Sequence, residues 1–453
     1  MRNVAVVAFY CVLALCNASD IQKNIQRTAR HNVAHDNIIN SGTSFVFAFT
    51  NSHLKGSTEY LTITVTNPDP NRSATVVVSS IYPDFNNQTI AVAPGASHTA
   101  VITPISIQAG YNTSHGILLE DKGIFIQSSL PVTVLAENQH VDGGSSDTFT
   151  VFPICNLGTQ YKAIGDMGLQ NKTNLYTIIA TEDNTHVTFA HKDGTVLKKI
   201  NRYQTVTFLS MDIITTNNAI TADKRIGVVS GSVCGFGFLQ VGFSPCNEET
   251  IMLLEVSAWG KTYPFAPFFG NDRSEVVILP WTDNTDLTFS DDDGNRKLHN
   301  DTYDVKKIGS KVIAGSNPID VIAVGGTTNP DYMGAPFFTH VPAREQFING
   351  SLTLHTGIDQ HDSNVSKHWI RITQYLYDTD TIFINGWPIS ALVYKRVGRT
   401  MYYYTDIPVT NGKHTVTGTK PFGCLVYGYG EFTGYAYVPS LKLPCECSLF
   451  TLS

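Results

Sequence analysis

One pattern returns four times along the chain and limits the fold more than any other feature. It reads KGIFIQSSLPVTVLAEN at Lys122–Asn138, AITADKRIGVVSGSV at Ala219–Val233, KVIAGSNPIDVIAVGG at Lys311–Gly326 and HTVTGTKPFGCLVYGYG at His414–Gly430. Each copy has an apolar run, a polar interruption carrying Pro or charge, and a second run suited to burial. The pattern predicts a strand, a turn and another strand. The spacing of roughly 95 residues exceeds solenoid and propeller-blade periods and matches one small β-sandwich.

Two further marks share the period. LTITVTNPDPNRSATVVVSS (Leu61–Ser80), YTIIATEDNTHVTFAHKDG (Tyr176–Gly194), VVILPWTDNTDLTFSDDDG (Val276–Gly294) and WIRITQYLYDTDTIFINGW (Trp369–Trp387) alternate around Asn/Asp turns and predict hairpins. A Gly-x-x-aromatic entry stands at Gly42, Gly158 and Gly260, and Arg344–Phe347 takes its place in the fourth unit. No segment after the first line carries a sustained helical period with caps. The expected fold is all-β, four tandem sandwich-like modules packed in series. They cover 42–146, 147–247, 248–335 and 336–443, after an N-terminal segment 19–41 and before a Cys-containing tail 444–453.

The first line gives the compartment. Arg2 precedes an apolar run from Val4 to Leu15 and small residues near Ala18, the order of a secretory signal peptide spanning 1–18. That run is too short to span a bilayer, and no later segment reaches the length required. Secretion makes disulfides the default for the six remaining cysteines, Cys155, Cys234, Cys246, Cys424, Cys445 and Cys447. Glycosylation sequons stand at Asn71, Asn87, Asn112, Asn171, Asn300, Asn349 and Asn364. A net charge of −7, spread along the chain, argues against a nucleic-acid partner.

Nothing in the sequence assembles a recognised catalytic motif or cofactor site. Glu137, His140, Asp142 and Asp147 form the richest polar cluster and would carry a hydrolase reading. Their place between modules favours a structural loop. Asp291-Asp292-Asp293 lacks the Glu that closes an EF-hand and reads first as a hairpin turn, with calcium as the alternative. Trp259 reads as core or seam packing.

The stretch CGFGFLQVGFSPC joins the second module to the third, and Cys234 and Cys246 are expected to pair across it. The tied loop would hold Phe236, Phe238 and Phe243. Other junctions offer Tyr332, Phe337, Phe432 and Tyr435. Buried, these aromatics are packing; exposed, they form a binding surface.

Cys234 and VSAWGKTYPFAPF (Val256–Phe268), with TFTVFPICNLGTQY and YTIIATEDNTHVTF, resemble the N-terminal domain family of the IgG Fc-binding mucus protein. The resemblance spans most of Gly42–Pro439. It implies a secreted, β-rich protein with an extracellular recognition or adhesion role; the family's namesake is associated with antibody Fc in mucus. No ligand residue carries over. The expected partner is an extracellular protein or glycan, with immunoglobulin-like and mucus components as candidates. A structural matrix component, self-associating through Cys445 and Cys447, is the second reading.

Overall fold

The computed structural model describes residues 40–445 except 53–58, 114, 141–144, 166–172, 192–193, 211–217, 236–246, 292–293, 301–303, 327–333, 358–364, 376–381, 391–392 and 431–432. The regular structure of the described residues is strand with short three-ten turns, and none of it is a helix long and apolar enough to cross a membrane. There are four sheets, one per repeat, following in chain order.

The fourfold pattern is a long strand in each module: Ile124–His140, Ala219–Gly235, Lys311–Val324 and Gly412–Gly430. The polar interruption is a kink within one strand, not the turn expected from sequence. At the kink the entry strand's register slips, between Gly42 and Ser44 in module one and between Gly260 and Thr262 in module three. Such irregularity bends and twists a strand without ending it. One half of the long strand therefore pairs with outer strands and the other half with inner ones, and each sheet curls.

The predicted hairpins are also rearranged. Glu59–Thr66 and Ala74–Ser80 do not pair with each other; the long strand lies between them and bonds to both. The same order holds for Asn174–Ala180 with Thr185–His191, and for Ser274–Pro280 with Thr285–Phe289. Alternating burial in Ala74–Ser80 matches a strand with one wet face, whereas Asn174–Ala180 is buried throughout. The turn chemistry was read correctly. Asn184 and Asn284 both take φ of 55°, and Thr185 and Thr285 tie back to carbonyls three residues earlier.

After each long strand the chain doubles back in a short return strand: Ser145–Val151, Asn247–Met252, Phe338–His340 and Thr433–Tyr437. Each pairs antiparallel with its own long strand. The boundaries expected at 146/147 and 247/248 therefore cut strands, and by pairing the first two modules end at Val151 and Met252. Gly116–Glu120 departs further: it leaves module one to extend the sheet of module two.

The return strands also meet one another. The first packs on the second and fourth, and the third packs on the second and fourth, so the series closes into a ring. A continuous apolar core runs from Phe45 through Tyr176, Tyr263 and Tyr427 to Leu443, and a second core fills module four. The chain ends complete the closure. The Leu441 amide donates to Asn40 Oδ1 at 3.0 Å, and the Lys442 amide to the Gln346 carbonyl at 2.9 Å.

The entry glycines belong to the seams. A Cβ on Gly42 would stand 2.4 Å from Pro153, and one on Gly260 would stand 2.3 Å from the Ala343 Cβ, both in the following module. At Gly158 and Gly260 the amide donates to the phenol three residues on, Tyr161 or Tyr263, which donates in turn to a long-strand carbonyl. Arg344–Phe347 is not the fourth copy of this entry. Arg344–Gln346 is a three-ten turn, matching Ile154–Asn156 and Val256–Ala258, so the assumed register was displaced. Gly260→Ala should cost about 1–3 kcal/mol through overpacking against Ala343. Urea denaturation would register this as a lower midpoint.

Candidate functional site

The centre of the ring is polar at one end. Asn247, fully buried at the start of the second return strand, reaches the other three modules. Its Nδ2 faces the carbonyls of Ser146 at 3.0 Å, Pro336 at 2.8 Å and Gly434 at 3.3 Å. Its Oδ1 accepts from the Ser145 hydroxyl at 2.9 Å and the Ser146 amide at 3.0 Å. Ser146 and Thr433 hydroxyls meet at 2.6 Å, and the Ala335 amide donates to Thr433.

These contacts fix direction. The strand beginnings near Ser145, Asn247, Pro336 and Thr433 lie together. The far ends meet separately, with His340 against the Met252 carbonyl and Thr150 donating to Val438. The return strands thus run the same way around the ring. The segments that precede them, 141–144, 236–246, 327–333 and 431–432, all attach at one end.

Beside Asn247 lies a carboxylate cluster between modules one and two. Glu248 Oε1 accepts from Asn138 at 2.9 Å and from Thr50 and Thr250 at 3.2 Å each. Asp147 accepts the Thr250 amide at 2.6 Å, and Glu137 accepts from Thr62 at 3.2 Å. Glu59 accepts from Gln108 and lies 3.4 Å from His140. Burial pushes the Asp147 carboxyl well up. Burial, then the neighbouring Glu59 charge, pushes Glu248 up to about 8. These groups prefer to be neutral where they sit.

The residues considered for hydrolysis are therefore spent otherwise. Glu137 and His140 are on the long strand and Asp147 is on its return partner, all buried. Glu137 faces Thr62 and His140 faces Glu59 within module one, and Asp147 takes the Thr250 amide across the seam. Asp142 lies outside the described residues. Among the described residues no group of three or more His, Cys, Asp or Glu is arranged to hold a metal. Asp291 pairs with Lys311 at 2.8 Å, and Asp292 and Asp293 lie outside the described residues. Trp259 is buried, its indole N–H donating to the Leu254 carbonyl at 3.1 Å.

Of the junction aromatics, Phe337 and Tyr435 are corrected from candidate ligand contacts to packing. Phe337 is fully buried, edge-on to Phe268 at 5.1 Å. It fits because Gly325 has no side chain there; a Cβ would fall 2.0 Å from the ring. Tyr435 is 4% exposed, its hydroxyl within 3.0 Å of His368 Nδ1 and accepting from the Gly357 amide. Phe236, Phe238, Phe243, Tyr332, Phe432 and Cys246 lie outside the described residues. Cys234 is buried and disulfide-bonded. Among the sequons Asn71, Asn87, Asn112 and Asn300 are exposed and Asn349 is half-buried, while Asn171 and Asn364 lie outside the described residues.

Sequence reasoning missed Asn247 and Glu248. Their only signal was polarity at the head of an otherwise ordinary strand. Asn247→Leu should strand the Ser146 amide and several carbonyls, at about 1–3 kcal/mol for each buried orphan. Its urea midpoint should fall sharply. The pH response has a defined sign. Glu248 binds its proton more tightly when folded, so its contribution is full below pH 4.5 and is lost as pH rises through about 8. Urea midpoints should fall across that window, and Glu248→Gln should flatten the fall.

A sequence profile of the family described as IgGFc binding protein matches residues 147–428, more than half of the chain. The chain is similar to the human IgGFc-binding protein, with 21% identity over 374 residues, covering 78% of this chain and 6% of that protein's length. Among solved structures, Thermotoga maritima 1070 covers 25% of this chain and 95% of its own, with 12% identity and a TM-score of 0.18. A tetra-tandem repeat from the extending region of a large adhesion protein covers 87% of this chain and 97% of its own, with 10% identity and a TM-score of 0.10. On the profile match, the chain belongs to the IgGFc-binding protein family.

Proposed function

We propose that this chain is a secreted, non-enzymatic recognition glycoprotein that grips an extracellular protein or glycan through the segments read from sequence as module junctions, which fall between each long strand and its return strand. The observation that carries the reading is the shared direction of the four return strands. It attaches 141–144, 236–246, 327–333 and 431–432 to one end of a packed frame. Binding residues are commonly carried on loops held by a rigid scaffold. The polar residues beneath are hydrogen-bonded between modules, which makes them support and not reactive groups.

The relative's name makes immunoglobulin Fc the first partner to try, and the sequence resemblance adds mucus glycoproteins and their glycans. Protein purified from culture medium would be immobilised and exposed to Fc fragments, mucus glycoproteins and a glycan array. Capture of one class is expected. Replacing Phe236, Phe238 and Phe243 together by Ser, or Tyr332 or Phe432 by Ser, should weaken that capture about tenfold or more in at least one variant. The melting temperature should stay unchanged. No capture from any of these sources, or wild-type affinity in every variant, would overturn the reading.

A further inference from the structure

The C-terminal segment is threaded across three modules. Val438 accepts from Thr150 at 2.6 Å in module one, and Lys442 donates to Gln346 in module four. Pro444 accepts from Asn156 Nδ2 at 2.9 Å on the three-ten turn Ile154–Asn156. Cys155 is the residue immediately before Asn156, and Cys445 follows Pro444. One residue step on each side thus separates the two cysteines from a shared hydrogen bond. A disulfide asks for Cα atoms within about 7 Å, which that arrangement permits. Cys155 is half-buried and Cys445 exposed, so both can be reached by an oxidant.

The other described cysteines sit elsewhere. Cys424 is 1% exposed inside the core of module four, where burial alone raises its thiol pKa far above the ordinary value. Such a thiol is inert to exchange. Cys234 is already in a disulfide and stands at the opposite end of the ring, where its strand pairs with Asn247.

We propose that Cys155 and Cys445 form a disulfide that fastens the C-terminal segment to module two. The proposal rests on secretion for its oxidant, a disulfide-form thiol oxidoreductase. The Cys155 thiolate attacks the oxidant's disulfide, giving a mixed disulfide and releasing one oxidant thiolate. The Cys445 thiolate then attacks the Cys155 sulfur, forming the bond and expelling the second oxidant thiolate. Two electrons and two protons pass to the oxidant, which leaves as a dithiol. The closed loop takes in most of the chain and restricts its unfolded state.

The experiment uses full-length protein from culture medium, alkylated without reductant and digested with trypsin and a Glu-specific protease. Cleavage after Glu446 separates Cys445 from Cys447. Mass spectrometry should find a peptide pair joining Cys155 to Cys445, lost on reduction and retained in Cys447→Ser. In Cys445→Ser, Cys155 should become alkylated. If Cys155 and Cys445 are alkylated while Cys234 stays paired, the bridge is wrong and the secretory reading stands. If Cys234 is alkylated as well, both are wrong. Linkage of Cys445 to Cys447, or to a second chain, also overturns the bridge.

Discussion

The arrangement depends on four short strands lying side by side around one buried amide. Apolar packing could hold four curled sheets together, but it is non-directional and would tolerate sliding along the axis. Asn247 removes that freedom, because its Nδ2 and Oδ1 meet groups from every other module. A buried polar group that is fully partnered specifies one register, since every displaced register leaves orphans of high cost. The same logic covers Ser146 with Thr433 and Asp147 with the Thr250 amide. The hydrophobic core supplies the bulk of the stabilisation, and the polar centre selects which ring forms.

Around that centre the kinked long strand is the device repeated four times. Its period, apolar halves and polar interruption were legible, because β-branched runs broken by Pro or charge leave a strong trace. The interruption reads as a turn in one dimension. Only pairing with the entry strand shows that the backbone continues, since Phe45–Phe47 and Gly42 contact the two sides of the same kink. The hairpin reading failed for a related reason. Alternation says that Thr62–Val65 and Val76–Val78 are strands, but it is silent on whether a third strand, supplied from sixty residues later, comes between them.

The site was less legible than the fold. Phe337 and Tyr435 look like loop aromatics because Gly and Pro surround them. Gly325 is the floor of a ring-shaped slot, and close approach is a use of glycine that sequence alone does not separate from turn formation. Asn247 and Glu248 follow a cysteine and resemble solvated loop residues. Asn247 meets residues of three other modules 89 to 187 positions away in sequence, and Glu248 meets Thr50 and Asn138 of module one, all beyond any local pattern. Glu137, His140 and Asp147 read as one polar loop in sequence, but Glu137 and His140 meet partners within module one while Asp147 bonds across the seam to Thr250.

This division of labour bears on recognition. The frame sets the inner ends of four connecting segments at fixed positions, while the segments differ in length and composition: CGFGFLQVGFSPC is long, aromatic and cysteine-bracketed, whereas only two residues precede Thr433. Sequence can change in such segments without touching the hydrogen bonds that register the ring, because those bonds begin at Ser145, Asn247, Pro336 and Thr433. A repeated module that closes on itself can therefore keep its interior constant while the sequences between its long and return strands differ.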